Sequence, residues 1–301
     1  MTVTNDSGIL CVGEVLWDSL PPGLFLGGAP FNVACDLRAL KHRVKMLSRV
    51  GDDVLGKEVL RRMRSKSLAV DLIQIDDRLP TGFVQVEVND QGVPRYTISE
   101  PAAWDAICTT KEVTEELSNA KVLVFGSLAQ RNIAARGTIQ ELCRRDYLKV
   151  FDVNLRPPYD DREIVRSSLR RTNILKLNVD EARQIASWFG LPEDERSFCS
   201  EIGKRFGCEI TCITKEAQGA VLWAEGNWFE HPGFEVKVKD AVGAGDAFLA
   251  GFLSGYLAKK DWEQVLEEAN LLGAYVASAM GATPGFDVEE LMQFKRQLVT
   301  H

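Results

Sequence analysis

The chain has 301 residues, of which 45% are hydrophobic and 26% are charged, a composition sufficient for a packed core in one large or two ordinary domains. Its formal net charge of −7 argues against non-specific binding to nucleic acid or to an anionic membrane, so an anionic ligand would need local positive groups. Seven cysteines include no CxxC pair and accompany only three histidines, which argues against a zinc site or a disulfide framework.

The N-terminus and the hydropathy pattern argue against export and membrane insertion. The first residues, MTVTNDSGILCVGE (1–14), have no basic start and no long apolar run, so they do not resemble a signal peptide. No stretch of about 18 uninterrupted apolar residues occurs, and no membrane-spanning helix is expected. We expect a cytoplasmic enzyme that acts on small molecules.

The N-terminal third predicts a small sheet beside the main body. A short apolar run at 15–20 is followed later by a segment, 79–96, in which apolar and polar residues alternate. The alternation is interrupted by a turn at NDQG (89–92) and then resumes, which is typical of a β-hairpin. We expect lid strands from about 14–28 and 80–104, in a projecting sheet that closes over a site.

From about residue 120 the chain alternates strand and helix patterns. This succession predicts a mostly parallel sheet with helices on both faces, so the expected fold class is three-layer α/β. The predicted strands are 122–128, 149–154, 174–178 and 209–214, and the predicted helices lie near 132–145, 161–171, 180–189 and 195–206.

Polar residues end three of these strands, at Asn154, Asn178 and Thr214. Ligands of open parallel sheets bind beyond the carboxyl ends of the strands. These three residues therefore form a candidate site.

The C-terminal third predicts a second hairpin followed by helices. GAVLW (219–223) and NWF (227–229) flank a Glu-Gly turn. Helices are expected near 262–280 and 287–299, and DVEE (287–290) resembles a capping box.

The segment DAVGAGDAF (240–248) carries the clearest chemical signal. Gly243, Ala244 and Gly245 leave backbone N–H groups uncovered at the start of an apolar helix, which is a favourable place for an anion. Asp246 adds a carboxylate that could take a proton from an attacking hydroxyl, so the segment suggests phosphoryl transfer. The alternative is a tightly packed helix start in which Asp246 only complements the helix dipole.

GGAPFNVA (27–34) suggests recognition of a polar ligand. Gly28 would allow a ligand to approach the backbone, and Asn32 offers both a donor and an acceptor to hydroxyl groups. In the alternative, Asn32 is a helix cap. Asp18 could accept from a second hydroxyl, although an acid after a strand is also a common turn residue.

NVDE (178–181) has two compatible interpretations. Asn178 and Glu181 match a capping box, and the same pair could order the water shell of Mg²⁺, which keeps several waters in proteins. Arg156 is a candidate counter-charge for a transferring phosphoryl group or a solvated loop residue, and Lys176 and Lys215 are weaker candidates for that role.

A family resemblance runs through nearly the whole chain. The motifs that carry it are GEVLWDSLP (13–21), GGAPFNVA (27–34), RVGDDVLG (49–56), AAWD (102–105), FGSLAQRN (125–132), FDVNLR (151–156), LKLNVDE (175–181) and DAVGAGDAF (240–248). With these motifs in this order, the sequence resembles the ribokinase-like (PfkB) carbohydrate kinases, and among them the bacterial-type fructokinases.

The resemblance implies a single ribokinase-like domain over 1–301 and a role for each matching residue. Asp246 would be the catalytic base, with the amides of Gly243, Ala244 and Gly245 as anion hole and Arg156 facing the phosphate. The sugar would be held by Asp18, Gly28 and Asn32, with Gln85 and Trp104 as lid contributors. The nucleotide would meet Asn178, Thr214, Gly219 and Asn270, and Glu181 with Asn178 would hold Mg²⁺ through water.

The resemblance also implies the reaction. We expect ATP- and Mg²⁺-dependent phosphorylation of a ketose, D-fructose first, at a primary hydroxyl, with activation by a monovalent cation such as K⁺ left open. Ribose, or a sugar acid such as 2-keto-3-deoxygluconate, is an alternative substrate, and a catalytically silent sugar-binding member is an alternative function. A homodimer could form through the exposed edges of the lid sheet.

Overall fold

The computed structural model describes residues 7–20, 23–88, 94–117 and 120–299, which form thirteen strands and ten α-helices. The strands are β1 (Gly8–Val12), β2 (Leu16–Leu20), β3 (Gly23–Gly27), β4 (Val44–Gly51), β5 (Ile73–Asp76), β6 (Gly82–Val88), β7 (Pro94–Ile98), β8 (Ala120–Gly126), β9 (Leu148–Asp152), β10 (Ile174–Asn178), β11 (Ile210–Thr214), β12 (Ala220–Ala224) and β13 (Asn227–His231). The helices are α1 (Ala29–Ala39), α2 (Val54–Ser65), α3 (Lys111–Leu117), α4 (Ile133–Leu142), α5 (Arg162–Leu169), α6 (Val179–Phe189), α7 (Glu195–Phe206), α8 (Ala244–Leu257), α9 (Trp262–Ala277) and α10 (Val288–Val299).

The main sheet has nine strands in the order β13-β12-β11-β10-β9-β8-β1-β4-β5. Every neighbouring pair from β11 to β5 is parallel, and β12 and β13 are antiparallel additions at one edge. The predicted mostly parallel sheet is confirmed, as is the second hairpin. The carboxyl ends of β9, β10 and β11 consequently meet at one edge, where the candidate site residues lie.

Alternating side chains make both faces of this sheet apolar. Along β1, Ile9 and Cys11 join one core, whereas Leu10 and Val12 join the other, and all four are at most 3% exposed. Helices α1, α2, α8, α9 and α10 cover the first core, and α4 to α7 cover the second. A strand that is buried on both faces reads as a continuous apolar run, as observed here.

A smaller, separate sheet has the order β3-β2-β6-β7, in which β2 and β6 are parallel and the outer pairs are antiparallel. Its strands fall within the ranges expected for the lid, while the predicted turn at 89–92 lies outside the described residues. Trp17 on β2 anchors the sheet, because its Nε1 donates to the Leu55 carbonyl at 3.2 Å and the Arg62 guanidinium lies 4.7 Å from its ring.

Element boundaries differ from the predictions where no strong stop signal exists. The helix predicted near 132–145 covers Ile133–Leu142, and the helix predicted near 262–280 ends at Ala277. The capping box at 287–290 is confirmed, since Asp287 and Glu290 each accept the backbone N–H of the other.

Two further expectations concerned disulfide bonds and membrane-spanning helices. All seven cysteines are free thiols and six are buried, Cys108 being the exposed one. Among the helices in the described ranges, none is both long and apolar enough to cross a bilayer.

Candidate active site

Helix α8 begins at the glycine that the sequence marks as part of an anion hole. Gly243 is the N-cap with φ 82°, and a Cβ atom there would come within 2.4 Å of the Ala282 carbonyl oxygen. Only glycine fits this backbone and this space. The Ala244 N–H donates to the Ala241 carbonyl at 3.3 Å. Amides of a first helical turn have no acceptor within the helix itself, so this end of α8 is a favourable place for an anion. Helix geometry therefore supports the predicted role of Gly243, Ala244 and Gly245.

Asp246 lies in that first turn, half-buried, and accepts a hydrogen bond from Nδ2 of Asn32 at 2.8 Å. Burial and the nearby Asp152 carboxylate raise its pKa to about 6, while Lys176, the Asn32 amide and Arg156 oppose that rise. A carboxylate with this pKa is ionised at neutral pH and is more basic than an ordinary aspartate. The residue predicted to be a base thus has the protonation state and the basicity that a base needs.

Asn32 belongs to the interior of α1, so the alternative that it caps this helix is wrong. The N-cap is Gly28, with φ 116°, and Pro30 occupies the first turn. A Cβ atom at Gly28 would come within 2.4 Å of the Glu14 carbonyl oxygen, so the glycine permits close approach of two backbone segments. This approach brings Glu14 beside the pair formed by Asn32 and Asp246.

Asp18 lies on β2 with its carboxylate over β3. A Cβ atom at Gly27 would lie 2.8 Å from its Oδ2. Burial raises the pKa of Asp18 to about 6; Arg156 opposes this rise and Asp240 adds to it. Asp240, in the segment that precedes α8, is therefore close enough for its charge to act on Asp18.

Glu14 is a site residue that sequence reasoning missed. It is 2% exposed, and burial raises its pKa to about 7, with Asp246 adding to the rise. Arg156 and backbone N–H groups, including that of Ala29, partly oppose it. The available signal was an acid directly after Gly13, where the first strand ends.

Arg156 is exposed in the loop after β9, and its Nη1 donates to the Leu155 carbonyl at 2.9 Å. Its charge lowers the pKa of Glu14, Asp18 and Asp246. One guanidinium therefore faces three acids of the cleft, which fits a group that meets an anionic phosphate there. Whether it does so stays a prediction.

Asn178 and Glu181 form the predicted capping box at the start of α6. The Glu181 N–H donates to Oδ1 of Asn178, and the Asn178 N–H donates to Oε2 of Glu181, both at 2.8 Å. The other carboxylate oxygen of Glu181 accepts the Leu155 N–H at 2.8 Å, so this acid also holds the loop that carries Arg156. Burial raises the pKa of Glu181, and Lys176 opposes that rise.

The predicted Mg²⁺ site can be compared with the oxygen atoms of Asn178 and Glu181. Both oxygens of Glu181 already accept backbone N–H groups, which leaves their second lone pairs for waters rather than for a closed cage of protein ligands. Across the part of the chain that the structure describes, no group of three His, Cys, Asp or Glu side chains could hold a metal ion. These residues fit Mg²⁺ that keeps most of its water and binds substrate phosphates.

Lys176 was a weak candidate from sequence, yet the structure places it directly under the start of α8. Its Nζ lies 3.0 and 3.2 Å from the two carboxylate oxygens of Asp152, and a Cβ atom at Gly245 would come within 3.1 Å of that Nζ. Burial lowers the pKa of Lys176, but Asp152, Glu181 and Asp246 outweigh burial and raise it. Lys215, the other candidate, pairs with Glu195 at 3.1 Å instead.

The predicted nucleotide residues lie on three elements around this edge. Thr214 ends β11, and its Oγ1 is 3.4 Å from the Leu177 carbonyl. Gly219 closes a turn with φ 78°, and a Cβ atom there would meet the His231 carbonyl at 2.0 Å. Asn270 is buried on α9, with its Nδ2 donating to the Leu266 carbonyl at 2.7 Å. Their nucleotide contacts stay predictions.

Gln85 and Trp104, the expected lid contributors, differ in placement. Gln85 is exposed on β6, opposite Ser19 of β2. Trp104 is 0% exposed and lies under the Arg131 guanidinium, 3.9 Å from its ring centre. The structure does not bring Trp104 to the cleft, and a sugar contact would require it to leave this packing.

Comparisons with known proteins identify the family of this chain. The model of the pfkB family of carbohydrate kinases matches residues 22–288. A fructokinase of Escherichia coli is 27% identical over 90% of this chain and 93% of its own length, and an ATP-dependent ribose-1-phosphate kinase of Halopiger xanaduensis is 30% identical over 85% and 81%. The crystal structure of a fructokinase from Xylella fastidiosa with bound ATP superposes with a TM-score of 0.86 at 21% identity and covers 96% of this chain and 98% of that one. The chain is an ATP-dependent sugar kinase and belongs to the pfkB family of carbohydrate kinases.

Proposed function

We propose that this kinase phosphorylates the primary hydroxyl of a neutral ketose, with D-fructose as the first candidate, and that Asp246 is its general base. The observation that carries the proposal is the 2.8 Å hydrogen bond from Asn32 to Asp246. This contact joins the residue expected to hold the sugar to the residue expected to accept its proton. It does so at the start of a helix, where phosphate is favoured.

The chemistry follows from these positions. Asp246 accepts the proton of the sugar hydroxyl while that oxygen attacks the terminal phosphorus of ATP, so that a sugar phosphate and ADP form and the proton remains on the carboxyl group. The backbone amides from Gly243 to Gly245, at the start of α8, stabilise negative charge on the transferring group. Lys176 adds a positive charge directly below them.

Mg²⁺ would supply further neutralisation of the nucleotide phosphates when it is bound. Glu181 and Asn178 would hold it through water, and Thr214, Gly219 and Asn270 would line the nucleotide site. A monovalent cation such as K⁺ is a further proposed activator.

The charges of the cleft favour a neutral sugar over an anionic one. Glu14, Asp18 and Asp246 are acids, and the exposed Arg156 is the cation whose charge reaches all three. A phosphate or carboxylate on the sugar would face these acids, whereas hydroxyl groups can donate to them. This argument places fructose and ribose ahead of 2-keto-3-deoxygluconate and ahead of ribose 1-phosphate, the substrate named for the Halopiger relative.

The small sheet is proposed to close over the sugar. Asp18 lies on this sheet, so closure would bring the carboxylate onto the substrate and exclude water, which otherwise allows wasteful hydrolysis of ATP. The outer strands β3 and β7 are the edges through which a homodimer is proposed to form.

A panel of sugars tests the proposal. ADP release would be measured with ATP and Mg²⁺ against D-fructose, ribose, 2-keto-3-deoxygluconate, fructose 6-phosphate and ribose 1-phosphate, with a blank that lacks sugar. We expect the highest kcat/KM with D-fructose and sugar-dependent turnover well above the blank. A preference for an anionic sugar would refute the charge argument, and no turnover with any sugar would favour a silent sugar-binding protein.

A further inference from the structure

Three buried side-chain oxygens close to Asp246 accept no hydrogen bond from any described residue. They are Oε2 of Glu14, Oδ1 of Asn32 and Oδ2 of Asp36. The three residues are 2%, 3% and 1% exposed, so solvent does not reach them, and the charge of Asp246 raises the pKa of both Glu14 and Asp36. A buried acceptor without a donor is costly, so hydrogen donors are what this cluster lacks.

Asn32 and Asp36 lie on the same side of one helix. They are four residues apart in α1, and side chains at this spacing are neighbours, with Cβ atoms about 5–6 Å apart. Helix α1 is buried continuously from Pro30 to Leu37. The Asn32 and Asp36 side chains are therefore neighbours in an interior without solvent, and each has one unsatisfied oxygen.

The hydrogen bond to the base decides how the Asn32 amide is oriented. Its Nδ2 donates to Oδ2 of Asp246 at 2.8 Å. A flipped amide would turn Oδ1 toward the carboxylate and place two acceptors face to face, which is unfavourable. Oδ1 therefore points away from Asp246 and is left without a donor.

Asp36 can be that donor when it carries a proton. Burial raises its pKa well above the ordinary value, and Asp246 adds to this rise. Lys66 opposes the rise, but its Nζ donates to the Thr283 carbonyl at 2.8 Å. A neutral carboxylic acid has one O–H donor, which an ionised carboxylate lacks.

We propose that Asp36 is a protonated carboxylic acid that donates to Oδ1 of Asn32 and thereby holds the amide with Nδ2 toward Asp246. Asp36 is then a positioning residue that acts through Asn32. The proposal rests on the proposed role of Asp246 as the general base. With the donor removed, Asn32 is free to turn and the base loses its orienting hydrogen bond.

Two substitutions of Asp36 by side chains of nearly equal size distinguish a role as hydrogen-bond donor from a role in packing. D36N keeps a donor, Nδ2, and D36L removes it. We expect D36N to retain kcat within about threefold of the wild type, and D36L to lose at least about tenfold in kcat with the KM for ATP unchanged. L37A, a buried change on α1 outside the 27–34 segment, is the control for lost stability and should leave kcat unchanged. Wild-type kcat in D36L, or equal loss in both variants, would overturn the proposal.

A measurement without turnover tests the same point independently. In ¹³C-aspartate NMR of the whole chain, the Asp36 carboxyl signal is identified by its absence in D36N. We expect it at the position of a neutral acid at neutral pH, and an ionised signal would refute the proposal. Because this experiment needs no sugar, it remains decisive even if no sugar in the panel is phosphorylated, the result that counts against the proposed function.

Discussion

Arg131 and Asp105 form a buried, two-bonded ion pair in which Nε and Nη2 of the arginine each lie 2.8 Å from a carboxylate oxygen. Both side chains are 3% exposed. Nη2 also donates to the Ser99 carbonyl at 2.6 Å. Ser99 directly follows β7 of the small sheet, and Arg131 lies beyond the end of β8 in the main sheet. This pair therefore ties the two sheets together.

The same guanidinium also reaches the loop that carries the proposed phosphate-facing arginine. It lies between two rings, 3.9 Å from the centre of Trp104 and 4.7 Å from that of Tyr159. The Tyr159 N–H donates to the Arg156 carbonyl at 2.8 Å. The Arg131 guanidinium therefore contacts both the end of the small sheet, at Ser99, and the loop that carries Arg156, through Tyr159. Each cation–π contact of this kind stabilises by about 0.5–2 kcal/mol.

Breaking this pair from one side should destabilise the protein strongly. Arg131→Met leaves the Asp105 carboxylate buried without its partner, and we expect a loss of about 3–5 kcal/mol in the free energy of unfolding, measured by urea denaturation. The double variant Arg131→Met with Asp105→Leu removes both charges and should recover a large part of that loss. A single variant within about 1 kcal/mol of the wild type would contradict this expectation.

Spacing along the chain predicted the local parts of the site well. Asn178 and Glu181 were recognised as a capping box because a reciprocal pair three residues apart is a property of one helix turn. Gly243 at the start of α8 is likewise predictable, because it lies directly before an apolar helix in the sequence. Such features depend on a few neighbouring residues, and the sequence contains all of them.

Contacts between distant segments could not be predicted in this way. Asn32 and Asp246 are 214 residues apart, and their hydrogen bond exists because α1 packs beside α8. Glu14 and Asp36 stand in apolar segments, where a pattern of hydropathy does not tell an acid that is buried from one that faces solvent. Trp104 shows the reverse problem, since a large aromatic residue after the lid strands could face the cleft or the core, and it faces the core.

Asp246→Asn should remove the base and leave binding in place. An amide cannot take the proton of the sugar hydroxyl, so we expect kcat to fall by at least about 10²–10⁴-fold while the dissociation constant for the sugar changes little. Steady-state kinetics give kcat, and calorimetric titration of the variant with D-fructose gives the dissociation constant. Near-normal kcat would exclude Asp246 as the base.

Activity should also depend on the ionisation of this carboxylate. The pKa of Asp246 is raised to about 6, and only the ionised form can accept a proton, so kcat/KM should fall as the pH decreases through about 6. Asp18 and Glu14, with pKa values raised to about 6 and 7, titrate nearby and would add to this fall. A rate profile that is flat from pH 7 down to pH 5 would contradict this prediction.

Relative to the wild type, Glu14→Gln should have a higher free energy of unfolding at high pH than at low pH. Folding raises the pKa of Glu14 from 4.5 to about 7, so the folded state holds this proton more tightly than the unfolded state. Binding of this proton adds to the free energy of unfolding of the wild type. The contribution is fully present below about pH 4.5 and is lost as the pH rises toward 7. Urea denaturation at pH 5 and pH 8 should show the variant gaining up to about 3 kcal/mol relative to the wild type. If the free energies of unfolding of variant and wild type differed by the same amount at both pH values, the raised pKa of Glu14 would be contradicted.

Gly243→Ala tests the backbone on which the anion hole depends. The residue has φ 82°, and the added Cβ would lie 2.4 Å from the Ala282 carbonyl oxygen, so the start of α8 must shift. We expect a loss of about 1–3 kcal/mol in stability and a large fall in kcat, measured by denaturation and by ADP release. Gly137→Ala is the matched control. Gly137 is an exposed position of α4 where an added Cβ meets nothing within 4 Å, so the change should stabilise by about 0.5–1 kcal/mol with kcat unchanged. Equal kcat in the two variants would remove Gly243 from the catalytic site.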